Sequence, residues 1–121
     1  MALACAEKGY LNAGNGLDAA REFIGACLQG DFARAAFYTL PDENNQQKLK
    51  EIESSYRQKD KEGRQQYRQA SINIHEVNDS ITDTVIVRYG LSVDKTPLMI
   101  KAVRTGDHWL VDISNSNLLI R

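Results

Sequence analysis

The sequence predicts an α+β domain in which N-terminal helices pack on a curved antiparallel sheet of about four strands. Three stretches of distinct pattern predict it. Residues 16–40 place apolar side chains three and four positions apart, residues 42–70 continue a helical period on a mostly polar background, and residues 71–114 change to a period of two. A chain of 121 residues holds one domain and buries about two-thirds of the surface that its unfolded form would expose. Such a core folds without a metal or a disulfide. The domain is expected over residues 16–121, after a leader or tether at 1–15.

The leader holds Gly9, Asn12, Gly14 and Asn15 with little periodicity, which reads as a flexible segment. A first helix begins near Gly16, with Leu17, Ala20, Phe23, Ile24, Cys27 and Leu28 on one stripe and Asp18 in the turn that favours negative charge. Gly30 supplies a left-handed stop, and Asp31 caps a second, shorter helix that carries Phe32, Ala35 and Ala36 to an end at Pro41. Asp42 then caps a long polar helix to about Gln58, with a continuation to Ala70 broken or kinked at Gly63. Its apolar stripe is narrow: Leu49, Ile52, Tyr56 and, after the break, Tyr67. The mixed charges around that stripe read as a solvated face.

Turn signals at 78–80, 94–97 and 105–107 divide the remainder into four strand-like runs. In the central run, Val85, Val87, Tyr89, Leu91 and Val93 form one apolar face. Pro97 is expected to open the third strand, in which Leu98, Ile100 and Ala102 oppose Met99, Lys101 and Val103. In the fourth, Trp109, Val111 and Ile113 share a face, and His108 and Asp112 share the other. The tail at 115–121 extends this strand or wraps an edge.

Net charge is −1 with 26% charged residues, so the chain lacks the positive footprint of a nucleic-acid binder. No apolar run approaches the ~18 residues that a membrane-spanning helix needs. Neither the cysteines nor the two histidines have the spacing of a metal site, and no phosphate-cradling loop or nucleophile motif appears, so no cofactor is implied. Cys27 reads as a small buried hydrophobe. Cys5 follows Ala2-Leu3-Ala4, which resembles the end of a bacterial lipoprotein signal, although Ala2 stands where Leu is usual and the charged and apolar parts of a signal are absent. Cys5 is the candidate lipid attachment residue, and a disulfide between Cys5 and Cys27 is an alternative in an oxidising compartment.

The order of helix, short helix, long helix and antiparallel sheet, opened by residues 20–36 and closed by Lys101-Ala102-Val103-Arg104-Thr105-Gly106-Asp107-His108-Trp109-Leu110-Val111, resembles the nuclear transport factor two-like superfamily. Within it, the chain looks most like small bacterial lipoproteins of uncharacterised function. The resemblance covers roughly residues 16–114 and rests on packing signatures. It implies a cone-shaped fold whose sheet and helices enclose a cavity, and a place in the periplasm or on the outer surface if Cys5 is lipidated. Enzymes of the superfamily, such as ketosteroid isomerase-like and polyketide cyclase-like members, keep an acid or His in that cavity; other members only bind or assemble.

None of the residues expected on the concave face is a carboxylate or a His, so no catalytic residue is assigned. His75, His108 and Asp112 fall on the other face unless the register slips by one. Tyr38, Tyr56, Tyr89 and Trp109 are the candidate ligand-binding residues, each with an apolar body and a polar tip, although core packing explains them as well. Three readings follow. The first is a non-enzymatic envelope module for a small apolar ligand or a partner protein, held to the membrane only through Cys5. The second is a small cavity isomerase or lyase. The third is a dimerisation domain that pairs with a second copy through Ile86, Met99, Val103 and Leu110 on the outer sheet face.

Overall fold

A computed structural model describes residues 10–114. Four helices come first: α1 (Gly16–Gln29), α2 (Phe32–Phe37), α3 (Glu43–Gln58) and α4 (Lys61–Arg68). Four strands follow: β1 (Ile72–Ile81), β2 (Thr84–Leu91), β3 (Asp94–Thr105) and β4 (His108–Asp112). Every helix begins on a short polar side chain, because its first N–H groups lack partners within the helix. Asn15, Asp31, Asp42 and Asp60 accept from the amides of Asp18, Arg34, Asn45 and Gly63 in turn. Gly30 closes α1 at φ 75°. The break expected at Gly63 falls at Lys59 and Asp60 instead. There Lys59 is extended, and the Asp60 carboxylate takes the Gly63 amide at 2.7 Å, so Gly63 lies inside the first turn of α4.

The sheet is open and fully antiparallel, in the order β1-β2-β3-β4. Two of its turns lie away from the expected positions. Strand β1 runs on through Asn78, Asp79 and Ser80 to Ile81, and the chain reverses at Thr82 and Asp83, where Asp83 takes φ 62°. The polar run at 78–80 instead makes an irregularity in the ladder, with the Asn78 side chain accepting the Ser80 amide at 3.0 Å. The next reversal is at Ser92 and Val93, so Val93 leaves the apolar face of β2 and is exposed. Strand β3 then opens at Asp94, not Pro97. Lys95, Thr96 and Pro97 together oppose Gly90, and this bulge is where a residue without an amide hydrogen is tolerated.

Helix α1 lies across β2, β3 and β4. Phe23, Ile24 and Cys27 from the helix meet Val87, Tyr89, Ile100 and Val111 from the sheet in one buried cluster. Gly16 permits a close approach at the start of α1, since a β-carbon there would stand 2.5 Å from the Val85 Cβ. Helix α2 is tied to α1 by the Arg34–Glu22 ion pair at 2.5 Å. Helix α3 adds Leu49, Ile52 and Tyr56 to the core, as its thin stripe predicts.

Residues 10–15, expected as the end of a flexible leader, are docked. Tyr10 packs on Phe37 with ring centres 5.4 Å apart, the Leu11 carbonyl accepts the Tyr38 hydroxyl, and the Ala13 carbonyl accepts the Trp109 amide. With Tyr38 and Leu40, which bond to Val111, this segment covers the outer edge of β4. The opposite edge, β1, pairs only with β2 among the described residues. The expected tail at 115–121 lies outside them.

Candidate functional site

The four aromatic candidates do not converge on one cavity; they go to three places. Tyr89 is fully buried in the core, and its hydroxyl has no hydrogen-bond partner among the described residues. Burial, with the nearby Cys27 as a smaller cause, pushes the Tyr89 phenol well above its ordinary range, and burial alone does the same to the Cys27 thiol. Both groups therefore stay neutral at physiological pH. Tyr38 and Trp109 stand along the covered edge of β4, where Tyr38 donates to the Leu11 carbonyl at 2.6 Å. Tyr56 borders an open recess.

That recess lies where the turn between α1 and α2 meets the elbow between α3 and α4. Gly30, Phe32, Tyr56, Arg57 and Arg64 line about 420 Å³ of space. Local sequence explains each position. The left-handed Gly30 lets the chain reverse directly against the Tyr56 ring, and a β-carbon at Gly30 would come within 2.8 Å of that ring. Phe32, next after the Asp31 cap, meets Tyr56 edge-on at 5.7 Å and 67°. Arg64 turns back from α4 to donate to the Arg57 and Lys59 carbonyls at the end of α3, which places its charge at the negative end of that helix. Arg68 donates to the Tyr56 hydroxyl at 3.1 Å. Since that oxygen accepts from Arg68, its own proton is left to point elsewhere.

Of these residues only Tyr56 stands out in the sequence, where the basic residues read as a solvated face and Phe32 and Gly30 as packing and punctuation. A signal was present: residues 57–68 hold Arg57, Lys59, Lys61, Arg64 and Arg68 against Asp60 and Glu62, an excess of three positive charges in a chain of net charge −1.

A second polar centre joins α3 to the end of the sheet. Asn45 is 1% exposed, and its side-chain oxygen accepts the Ile113 amide at 2.6 Å. Its amide nitrogen donates to Asp42 at 2.9 Å and to Asp112 at 3.2 Å. Burial raises the Asp112 pKa, but hydrogen bonds from Ser114 and Asn45 and the charge of Lys101 outweigh it and hold the carboxyl below its usual value. These interactions are all internal, so the cluster is a structural clasp.

The other expected groups lie apart from both centres. His75 is exposed, with its ring against Gly90 on the side of a smaller recess of about 330 Å³ bounded also by Asn73 and Asp94. His108 is half-buried, with Nδ1 3.2 Å from the Asp107 carboxylate, a contact that helps hold the Asp107 pKa down. The outer-face apolar set is not the exposed patch expected: Ile86, Met99 and Val103 are half-buried, and Leu110 is 8% exposed. Cross-strand neighbours shelter one another, as in the row Thr84, Val103 and Leu110. Among the described residues, the exposed large apolar ones are Leu11, Val77, Ile81 and Val93. Cys5, and with it the pairing to Cys27, lies outside the described residues.

Among the described residues no helix is long and apolar enough to cross a membrane, and no group of three or more His, Cys, Asp or Glu could hold a metal ion. Fold and recess together define an α+β domain of helices followed by a four-stranded antiparallel sheet, with an aromatic and basic recess at its helical end. Comparison with family models, with curated proteins and with solved structures finds no match to this chain.

Proposed function

We propose that this chain is a non-enzymatic binding module of the bacterial envelope, of the nuclear transport factor two-like type, that holds a small ligand in the recess beside Tyr56. Its helices followed by an open antiparallel sheet are compatible with that type. The observation that carries the reading is the recess itself: about 420 Å³ is within the usual size of a small-molecule site, and Phe32 and Tyr56 offer the apolar wall. A binding role fits better than catalysis because two ionisable groups deep in the core, Cys27 and Tyr89, are held neutral by burial. Tethering to a membrane belongs to this proposal through Cys5.

Native mass spectrometry of the full-length gene product, purified gently from its own host, tests both parts. A covalent lipid mass on Cys5 and a retained small molecule that is lost in Phe32→Ala are the expected results. A bare protein that also fails to bind any aromatic probe saturably sinks the binding reading.

A second reading, an interaction domain, is favoured by one observation: Val77 and Ile81, 41% and 59% exposed, stand on β1, whose outer edge has no partner strand among the described residues. In that case the interface is this edge and not the outer face. Sedimentation would show a dimer that Ile81→Lys dissociates; a monomer at all concentrations removes it.

A further inference from the structure

Resting on the recess as a binding site, we infer that its ligand is a small organic anion with a flat apolar body, such as an aryl carboxylate. The wall and the rim differ in chemistry. Phe32 and Tyr56 meet edge-on and offer an apolar face, while Arg57 and Arg64 border the same space. Each cation keeps donors to spare. Arg64 spends Nη1 on the Lys59 and Arg57 carbonyls, and Arg57 spends Nε and Nη2 on Glu53, which leaves Nε and Nη2 of Arg64 and Nη1 of Arg57 without another hydrogen bond among the described residues. The Tyr56 hydroxyl already accepts from Arg68, so its proton is a further donor.

The surrounding charge is positive on balance: residues 57–68 hold five basic side chains against Asp60 and Glu62, and Asp31 lies between the lining residues Gly30 and Phe32. Lys59 lies over the Tyr67 ring at 4.5 Å, and Glu53 is paired to Arg57. Donors without matching acceptors recognise an anion, and guanidinium groups bind carboxylates with charge-assisted hydrogen bonds. The aromatic pair would select a ligand with a ring over a bare inorganic ion.

Calorimetric titration of the full chain with phenylacetate, phenylacetamide and inorganic phosphate at low salt tests this. Phenylacetate is expected to bind about tenfold tighter than the neutral amide, since one charge-assisted contact is worth about that factor. Arg57→Gln and Arg64→Gln should each weaken phenylacetate binding more than amide binding, and so narrow that preference. Arg57→Gln keeps the test valid if loss of Arg64 unravels the end of α3. Equal binding of acid and amide would overturn the anion assignment and leave the recess a binding site. Binding of neither overturns both readings. Phosphate that competes as well as phenylacetate overturns the role of the aromatic wall, and with it this inference.

Discussion

Tyr89 and Asn45 show how differently two buried polar side chains act. The Tyr89 hydroxyl has lost its water and gained no partner, which costs roughly 1–3 kcal/mol. Tyr89→Phe removes the group and keeps the ring, so the variant should be as stable as the parent or up to about 1 kcal/mol more stable by urea denaturation. A clear loss would mean that the hydroxyl has a partner in solution. Asn45 is the reverse case, because its side chain satisfies the Ile113 amide and two carboxylates at once. Asn45→Ala strands that buried amide, and the expected loss is about 2–3 kcal/mol in the same experiment. Neither role was legible in the sequence. Tyr89 falls correctly on the apolar stripe of its strand, but nothing in one sequence shows whether a phenol tip meets an acceptor. Asn45 reads as one more polar residue of a polar helix, because the amide it serves lies 68 positions away.

The same clasp gives a pH dependence. Asp112 has a folded pKa below its unfolded one, so its contribution is present above the unfolded value of about 4 and is lost as pH falls through the lower folded value. Asp112→Asn should therefore lower stability at neutral pH, with the gap to the parent closing on acidification below about pH 4. Denaturation midpoints across that range check it; a gap that stays constant would show that the carboxylate charge contributes nothing.

Between elements, the contact of α1 with β2 is set by the missing side chain at Gly16. A methyl there would overlap Val85, with heavy atoms at 2.5 and 2.6 Å, so Gly16→Ala should cost about 1–3 kcal/mol by overpacking. Val85→Ala opens a gap at the same place. The double variant should therefore lose less than the two single losses together, by about 1 kcal/mol, whereas strict additivity would show that the two sites do not touch. This scale also separates what a sequence displays from what it hides. Helix starts were legible at Asp31 and Asp42, and the α1 stop at Gly30, because a cap is a local bond between near neighbours. Turns were less so. Asn78-Asp79-Ser80 has the composition of a reversal, yet the ladder to β2 carries the strand past it, and the chain reverses at Ser92 and Val93 although Val93 is a residue that favours strands. Long-range pairing outweighed local preference at both places. The recess was hidden for a similar reason: Gly30, Phe32, Tyr56 and Arg64 lie on four different segments, and their meeting depends on packing that no local pattern encodes.

Across the whole molecule, stabilising contacts are unevenly spread, and this sets where the fold opens first. The helices cover β2, β3 and β4, and the docked segment at 10–15 shields the β4 edge. Strand β1 pairs with one strand among the described residues, carries two irregularities at 74–76 and 78–81, and exposes every residue from His75 to Ile81. Little apolar burial opposes its fraying, so its far half belongs to the low-stability part of the structure. Amides at Val77 and Ile81 should exchange with solvent by local opening, far faster than those of Val87 and Ile100, which wait for global unfolding. Residue-resolved hydrogen exchange at two protein concentrations decides the matter. Rapid exchange at both concentrations marks β1 as a bare edge on a monomer. Protection that appears only at the higher concentration would mean that the edge is completed by a second copy, and the open sheet would then be half of a larger one.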